Sequence, residues 1–197
     1  MKGLSNKEIE ILLLLVKDIS KDYNSNNITQ KINITPAGAF KAMKNLEKRN
    51  LVKGKRMGKA IFYKADLKDY YTFRIIETLF IDEAREKALR WLDEFKELYK
   101  YAEIVIIFGS IIKNPKNAND IDLLVVFKKE ESKNIENIIK NRKMISTKPI
   151  HVIKITIEDL NKSLRRKEDV ILNIIKSCYV LNGYDKLLKS IKNVTTI

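Results

Sequence analysis

One twenty-residue stretch narrows the possible folds more than any other feature of the chain: "FGSIIKNPKNANDIDLLVVF" at 108–127. An apolar run, Ile104–Phe108, reads as a strand and stops at Gly109 and Ser110. After nine further residues come Asp120 and Asp122, at the head of a second apolar run, Ile121–Phe127. Both runs are continuous rather than alternating, which predicts strands covered on both faces. Side chains two apart on a strand point the same way, so Asp120 and Asp122 aim two carboxylates at one place while Ile121 packs behind them. Gly109 lets the backbone approach a ligand closely, and the Ser110 hydroxyl with neighbouring N–H groups can hold phosphate oxygens. Two converging carboxylates bind Mg²⁺ readily, and such an ion orients phosphates and offsets charge at a transferring phosphorus.

The rest of the second half alternates helix and strand. A helix is expected near Ser132–Lys140, a third strand over Ile150–Thr156, and helices near 158–166, 168–180 and 184–192. Cys178 then lies in mid-helix as a buried thiol, and Gly183 ends that helix and frees the turn into the next. The third strand, "KPIHVIKIT", carries His151, and no Asp or Glu lies between Ser146 and Thr156. Lys154, three residues on, faces the other side of the strand.

The first half is differently patterned. Ser5 followed by Glu8 fits a capping box for a helix over roughly 6–20, with Ile9, Leu12, Leu13 and Val16 inward. A short helix through Ile28–Lys31 follows a polar break at Asn24–Asn27. Thr35–Pro36 marks the next start, since Thr caps well and Pro suits the first helical position. That helix runs to about Arg49 with Ala39, Ala42, Met43 and Leu46 inward and Lys41, Lys44 and Lys48 in an outward stripe. Asn50 suits a left-handed cap. Two short strands, near Leu51–Lys55 and Ala60–Lys64, flank a turn at Arg56–Lys59 in which Gly58 takes positive φ. Residues 66–99 read as apolar helices, with Phe73, Ile76 and Leu79 on one and Ala88, Trp91, Leu92, Phe95 and Leu98 on the next.

Charge separates the halves further. The formal net charge is +14, and residues 1–69 carry 15 Lys or Arg against 7 Asp or Glu. Residues 41–59 alone hold eight basic side chains and one acid, Glu47. A block of this kind favours a polyanion. Lys41 and Lys44 can reach phosphates or base edges, Lys48 sits farther along toward the backbone, and Thr35 lies at the helix start where N–H groups point outward. Lys53, Lys55, Arg56 and Lys59 make the hairpin basic. The apolar run Ile11–Val16 is too short to cross a bilayer, no signal-peptide pattern is present, and the single cysteine cannot form an internal disulfide. A cytoplasmic setting without membrane attachment is therefore expected.

Two resemblances follow from these motifs. The segment "ITPAGAFKAMKNLEKRNLVKGKRMGKAIFYKA" resembles winged helix-turn-helix transcription regulators, and with the first helix the likeness covers about 65 residues. It implies double-stranded DNA as a partner, read by Thr35, Lys41, Lys44, Lys48, Lys53, Lys55, Arg56 and Lys59, and a homodimer on a pseudo-palindromic site. The stretch from Trp91 to Tyr184 resembles the minimal nucleotidyltransferases of the DNA polymerase beta superfamily, in which Gly-Ser, a spacer and Asp-x-Asp recur. The likeness implies an α+β chain in which a winged helix-turn-helix domain (1–68) and connecting helices that could form a dimer interface (69–100) precede a nucleotidyltransferase-fold domain (101–197) with a small mixed sheet and flanking helices. It also implies Mg²⁺ on Asp120 and Asp122, and a nucleoside triphosphate held by Gly109, Ser110 and Lys113. Small relatives often act beside a helical protein partner.

The chain departs from that pattern. Lys113 stands where small members often have Arg, Asn114 where they usually have Gly, and the spacer is one residue short. The catalytic relatives place a third carboxylate on the following strand, and His151 occupies that place here. Three readings stay open: an altered catalytic base, a nucleotide site that binds without reacting, and a structural histidine. The expected function is a DNA-binding transcriptional regulator with a nucleotide- and Mg²⁺-binding domain impaired in catalysis. The alternative is an active enzyme moving a nucleoside monophosphate to a protein, small-molecule or nucleic-acid acceptor.

Overall fold

The computed structural model describes residues 3–195. The chain divides into two units, one made of the described residues up to 79 with Thr195, the other of residues 80–194; the division falls within a helix, α3 (Tyr70–Lys87).

In the first unit, α1 (Asn6–Lys17) begins at the expected capping box: the Ser5 side chain accepts from the Glu8 N–H, and the Ser5 N–H donates to Glu8 Oε2 at 2.8 Å. The helix stops three residues sooner than its apolar pattern suggested. Asp18, only 1% exposed, accepts from the Tyr23 hydroxyl at 2.6 Å and from the Ser20 hydroxyl at 2.8 Å. A buried carboxylate held this way turns the chain, because leaving those bonds unmade inside the core would cost more than the lost helical turn gains. Asn27–Gln30 forms a 3₁₀ helix where a short helix was expected. α2 (Pro36–Lys48) starts at Thr35, whose hydroxyl accepts from the Gly38 N–H at 3.1 Å, and buries Ala39, Ala42, Met43 and Leu46. Asn50 takes φ of 58°. β1 (Val52–Met57) and β2 (Ala60–Ala65) pair antiparallel around a tight turn containing Gly58. The core joins Ile11, Leu12, Ile28, Met43, Leu46 and Leu51.

The second unit holds a four-stranded sheet in the order β5–β4–β3–β6. β3 (Ala102–Phe108) and β4 (Ile121–Phe127) are antiparallel neighbours at its centre. Ile104–Ile107 and Leu123–Val126 are all buried, as continuous apolar strands covered on both faces must be. β5 (Ile150–Ile155) runs parallel to β4 and is reached through α6 (Ser132–Ile145), the crossover helix that a parallel pair requires. The sheet is thus mixed. α4 (Leu89–Glu94) and a 3₁₀ helix (Lys96–Lys100) precede the sheet, and Trp91, Phe95 and Leu98 from them enter its core.

One expectation fails. The helix expected near 158–166 is α7 (Ile157–Arg165), but the segment read as one helix over 168–180 is α8 (Asp169–Lys176) followed by a strand, β6 (Cys178–Asn182). Cys178 is not in mid-helix; it pairs with Phe108 across the β3–β6 ladder and is buried there. Gly183, at φ of 77°, links β6 to α9 (Tyr184–Thr195) rather than two helices, and a Cβ there would strike the Glu103 carbonyl. Its role is close approach of two backbones, which no other residue permits.

Candidate functional site

The centre of the second unit places the two acids against the glycine–serine bend. β3 ends at Phe108, which is paired with Asp122, so the bend at Gly109 lies beside the start of β4. Gly109 adopts φ of 83°, and a Cβ at this position would land on the Asp122 carboxylate. The glycine therefore creates the space that Asp122 fills. Ser110 opens the single-turn helix α5 (Ser110–Lys113), and its hydroxyl donates to Asp120 Oδ1 at 3.2 Å.

His151 completes the cluster. It is the parallel-ladder partner of Asp122. Its Nδ1 lies 3.4 Å from Asp120 Oδ2 and 3.7 Å from Asp122 Oδ1. One ligand atom from each of Asp120, Asp122 and His151 can be chosen so that all three lie within 4.8 Å of one another. The side chains open progressively toward solvent, 23% exposed at Asp122, 34% at Asp120 and 64% at His151. An imidazole this exposed is not a core packing residue. Lys154 faces the other side of the strand, as expected, and pairs with Glu136 at 2.8 Å. Lys113 is exposed and forms no ion pair among the described residues; the structure does not draw it into the cluster.

Burial pushes the Asp122 carboxyl above its ordinary value, Asp120 adds to the push, and His151 opposes it. The raised value means that the folded state favours the protonated acid, so charged Asp122 costs stability above its folded pKa and the cost vanishes as pH falls through it. Replacing Asp122 with Asn should raise the melting temperature of the cation-free protein near neutral pH. Thermal melts in chelator from about pH 7 down to about pH 4 should show the gain shrinking, since the folded wild-type acid takes up its proton before the unfolded one does on acidification. A gain that grows on acidification would contradict this account.

In the first unit the predicted basic side chains sort into two groups. Lys44 is bound to Glu47 at 2.7 Å, which with Tyr63 raises the pKa of its ammonium, and Lys53 is bound to Asp66 at 2.7 Å. Lys41, Lys48, Lys55, Arg56 and Lys59 are exposed and make no ion pair among the described residues. The Thr35 hydroxyl is taken up by the helix cap. Two further side chains stand out that charge patterning did not select: Phe40, 52% exposed on α2, and Met57, 42% exposed on the hairpin. The signal for Phe40 was available, because it falls off the buried Ala39–Ala42–Met43–Leu46 stripe.

Residues 92–186 match the family model described as polymerase beta, nucleotidyltransferase, so the chain contains a nucleotidyltransferase-like domain. No curated protein matches the chain. Among solved structures, two mutants of Lactococcus lactis ZitR align with it. One is 19% identical over 73% of this chain and 76% of that one, with a TM-score of 0.35. The other is 18% identical over 72% and 75%, with a TM-score of 0.34. At such scores neither fold nor function is transferred. Among the described residues no helix is long and apolar enough to cross a membrane.

Proposed function

We propose that the chain is a DNA-binding transcription regulator whose first unit works as a winged helix-turn-helix and whose nucleotidyltransferase-like domain binds a nucleoside triphosphate with a divalent cation. The observation that carries the DNA-binding half is the set of five exposed, unpaired cations on α2 and the β1–β2 hairpin. Unpaired cations neutralise phosphates without first breaking an internal ion pair. The order helix, 3₁₀ turn, capped helix and hairpin is the order in which a winged helix-turn-helix presents a reading helix and a wing. Exposed Phe40 supplies an apolar surface of the kind that meets thymine methyl groups. Binding as a cytoplasmic homodimer on a pseudo-palindromic site belongs to the same proposal.

The second half rests on Gly109, Ser110, Asp120 and Asp122 lying together. The two carboxylates are the oxygen donors Mg²⁺ takes. His151 in place of a third acid supplies no negative charge for a second ion, which is why we infer that the domain binds a nucleotide more readily than it transfers one. Nucleotide binding would then alter DNA affinity. Binding curves for a DNA duplex selected from a random pool should shift by about tenfold when ATP with Mg²⁺ or Mn²⁺ is added, the size of a typical coupling between sites. Superimposable curves would remove the coupling. The reading as an active transferase is favoured by the open, solvent-facing rim of the cluster; transfer of label from radioactive nucleotides to any acceptor would replace the first reading with it.

A further inference from the structure

The donor set at the acid cluster is not all oxygen, which suits Mg²⁺ less well than three carboxylates would. Asp120 and Asp122 offer oxygen, but the third side chain in reach is an imidazole whose Nδ1 faces both acids at 3.4 and 3.7 Å. Mg²⁺ takes oxygen ligands and dehydrates reluctantly, while imidazole nitrogen suits the later first-row ions, for which affinity rises from Fe²⁺ through Co²⁺ to Ni²⁺ and Cu²⁺. Two carboxylates with one imidazole, and the remaining positions open, give such an ion mixed oxygen and nitrogen donors. Donors around a four-coordinate ion with bonds of about 2.1 Å lie about 3.4 Å apart. His151 Nδ1 already lies 3.4 and 3.7 Å from the two acids, and with one ligand atom from each residue within 4.8 Å of the others, side-chain shifts alone can close the three onto one ion. The site is also preformed: Asp122 and His151 are held side by side by the β4–β5 ladder, and Gly109 leaves the space that Asp122 fills.

We propose that Asp120, Asp122 and His151 together form a site for a single later first-row transition ion such as Co²⁺, and that His151 is the residue that turns the site away from Mg²⁺. This deepens the reading of the same cluster as a cation and phosphate site. The ion keeps open positions toward the exposed rim, where a phosphate or water completes its shell. No other side chain confuses the assignment, since His151 is the sole histidine of the sequence. The sole cysteine, Cys178, is buried and its thiol faces the Ile175 carbonyl at 3.3 Å.

That uniqueness makes the test direct. Untagged full-length protein is titrated with Co²⁺ and, separately, with Mg²⁺, in competition with a chelator. Proton NMR of the Co²⁺ form should show one set of strongly shifted imidazole resonances, which only His151 can produce. His151→Ala should lose those resonances and bind Co²⁺ about 10–100-fold more weakly, the range that even ligand-supporting residues cost. His151→Asp should lose them too, keep cation binding, and lower the ratio of Co²⁺ to Mg²⁺ affinity at least about tenfold, because an oxygen donor replaces nitrogen. Co²⁺ binding without shifted imidazole signals, or an unchanged affinity ratio in His151→Asp, overturns the proposal and leaves the cluster as an ordinary carboxylate site. If neither ion binds, the cation-site reading falls with it.

Discussion

Replacing Lys41, Lys55 and Arg56 together with alanine should weaken binding to duplex DNA by about 100-fold at about 0.15 M salt and flatten the salt dependence by nearly three units of slope. Each phosphate neutralised releases counterions, and log affinity falls with log salt by about 0.9 for each such contact. Three lost contacts therefore predict a slope change of about 2.7, which extrapolates to about two orders of magnitude at that salt. The three residues are exposed and unpaired, so their loss removes no internal bond and should leave the melting temperature unchanged. Glu47 provides the opposite arm. It holds Lys44 at 2.7 Å in a surface ion pair whose loss costs little stability. Glu47→Gln removes an acid from the basic face and frees that ammonium, so affinity should rise about fivefold and the slope steepen by about 0.9. Anisotropy titrations at several salt concentrations measure both arms. An alanine triple variant with the wild-type slope would mean that α2 and the hairpin do not meet the phosphates.

Lys44 and Lys41 both fall on the outward stripe of α2, but their spacing to acids separates them. Glu47 lies three residues after Lys44, close enough to pair on one helix face, and no acid stands three or four residues from Lys41. Local signals read well: the Ser5–Glu8 box, Thr35 before Pro36, and Asn50 after α2 each act within one helical turn. The candidate site was legible because a period of two fixes the side of a strand, so Asp120 and Asp122 had to converge and Lys154 had to face away from His151. What lay outside reach was non-local. β6 is five residues long, and its pairing to β3 joins Cys178 to Phe108, seventy positions earlier. The buried Ile171, Leu172, Ile174 and Ile175 of α8 run straight into it, so the helical pattern has no visible end. Gly183 looked like a helix cap because only the fold brings Glu103 against it. The early end of α1 depends likewise on Tyr23 reaching back to a buried Asp18.

Gly109→Ala should disable the acid cluster while leaving its residues unaltered. The added Cβ would occupy the place of the Asp122 carboxylate, so either that side chain swings out of the cluster or the bend between β3 and α5 shifts. In both cases Asp120 and His151 lose the third donor, and divalent-cation affinity should fall at least about 10–100-fold, the loss that even an outer partner of a metal ligand causes. Backbone strain adds a stability cost of about 1–3 kcal/mol, since φ of 83° is unfavourable for a side-chain-bearing residue. Gly58→Ala separates the two effects. Gly58 also has positive φ, at 61°, but nothing lies within 4 Å of its added Cβ. That variant should show strain alone, about 1 kcal/mol, with cation binding intact. Calorimetric cation titrations beside thermal melts of both variants decide the matter. Wild-type cation affinity in Gly109→Ala would show that Asp122 is not a ligand, because its carboxylate cannot share that space with a methyl group.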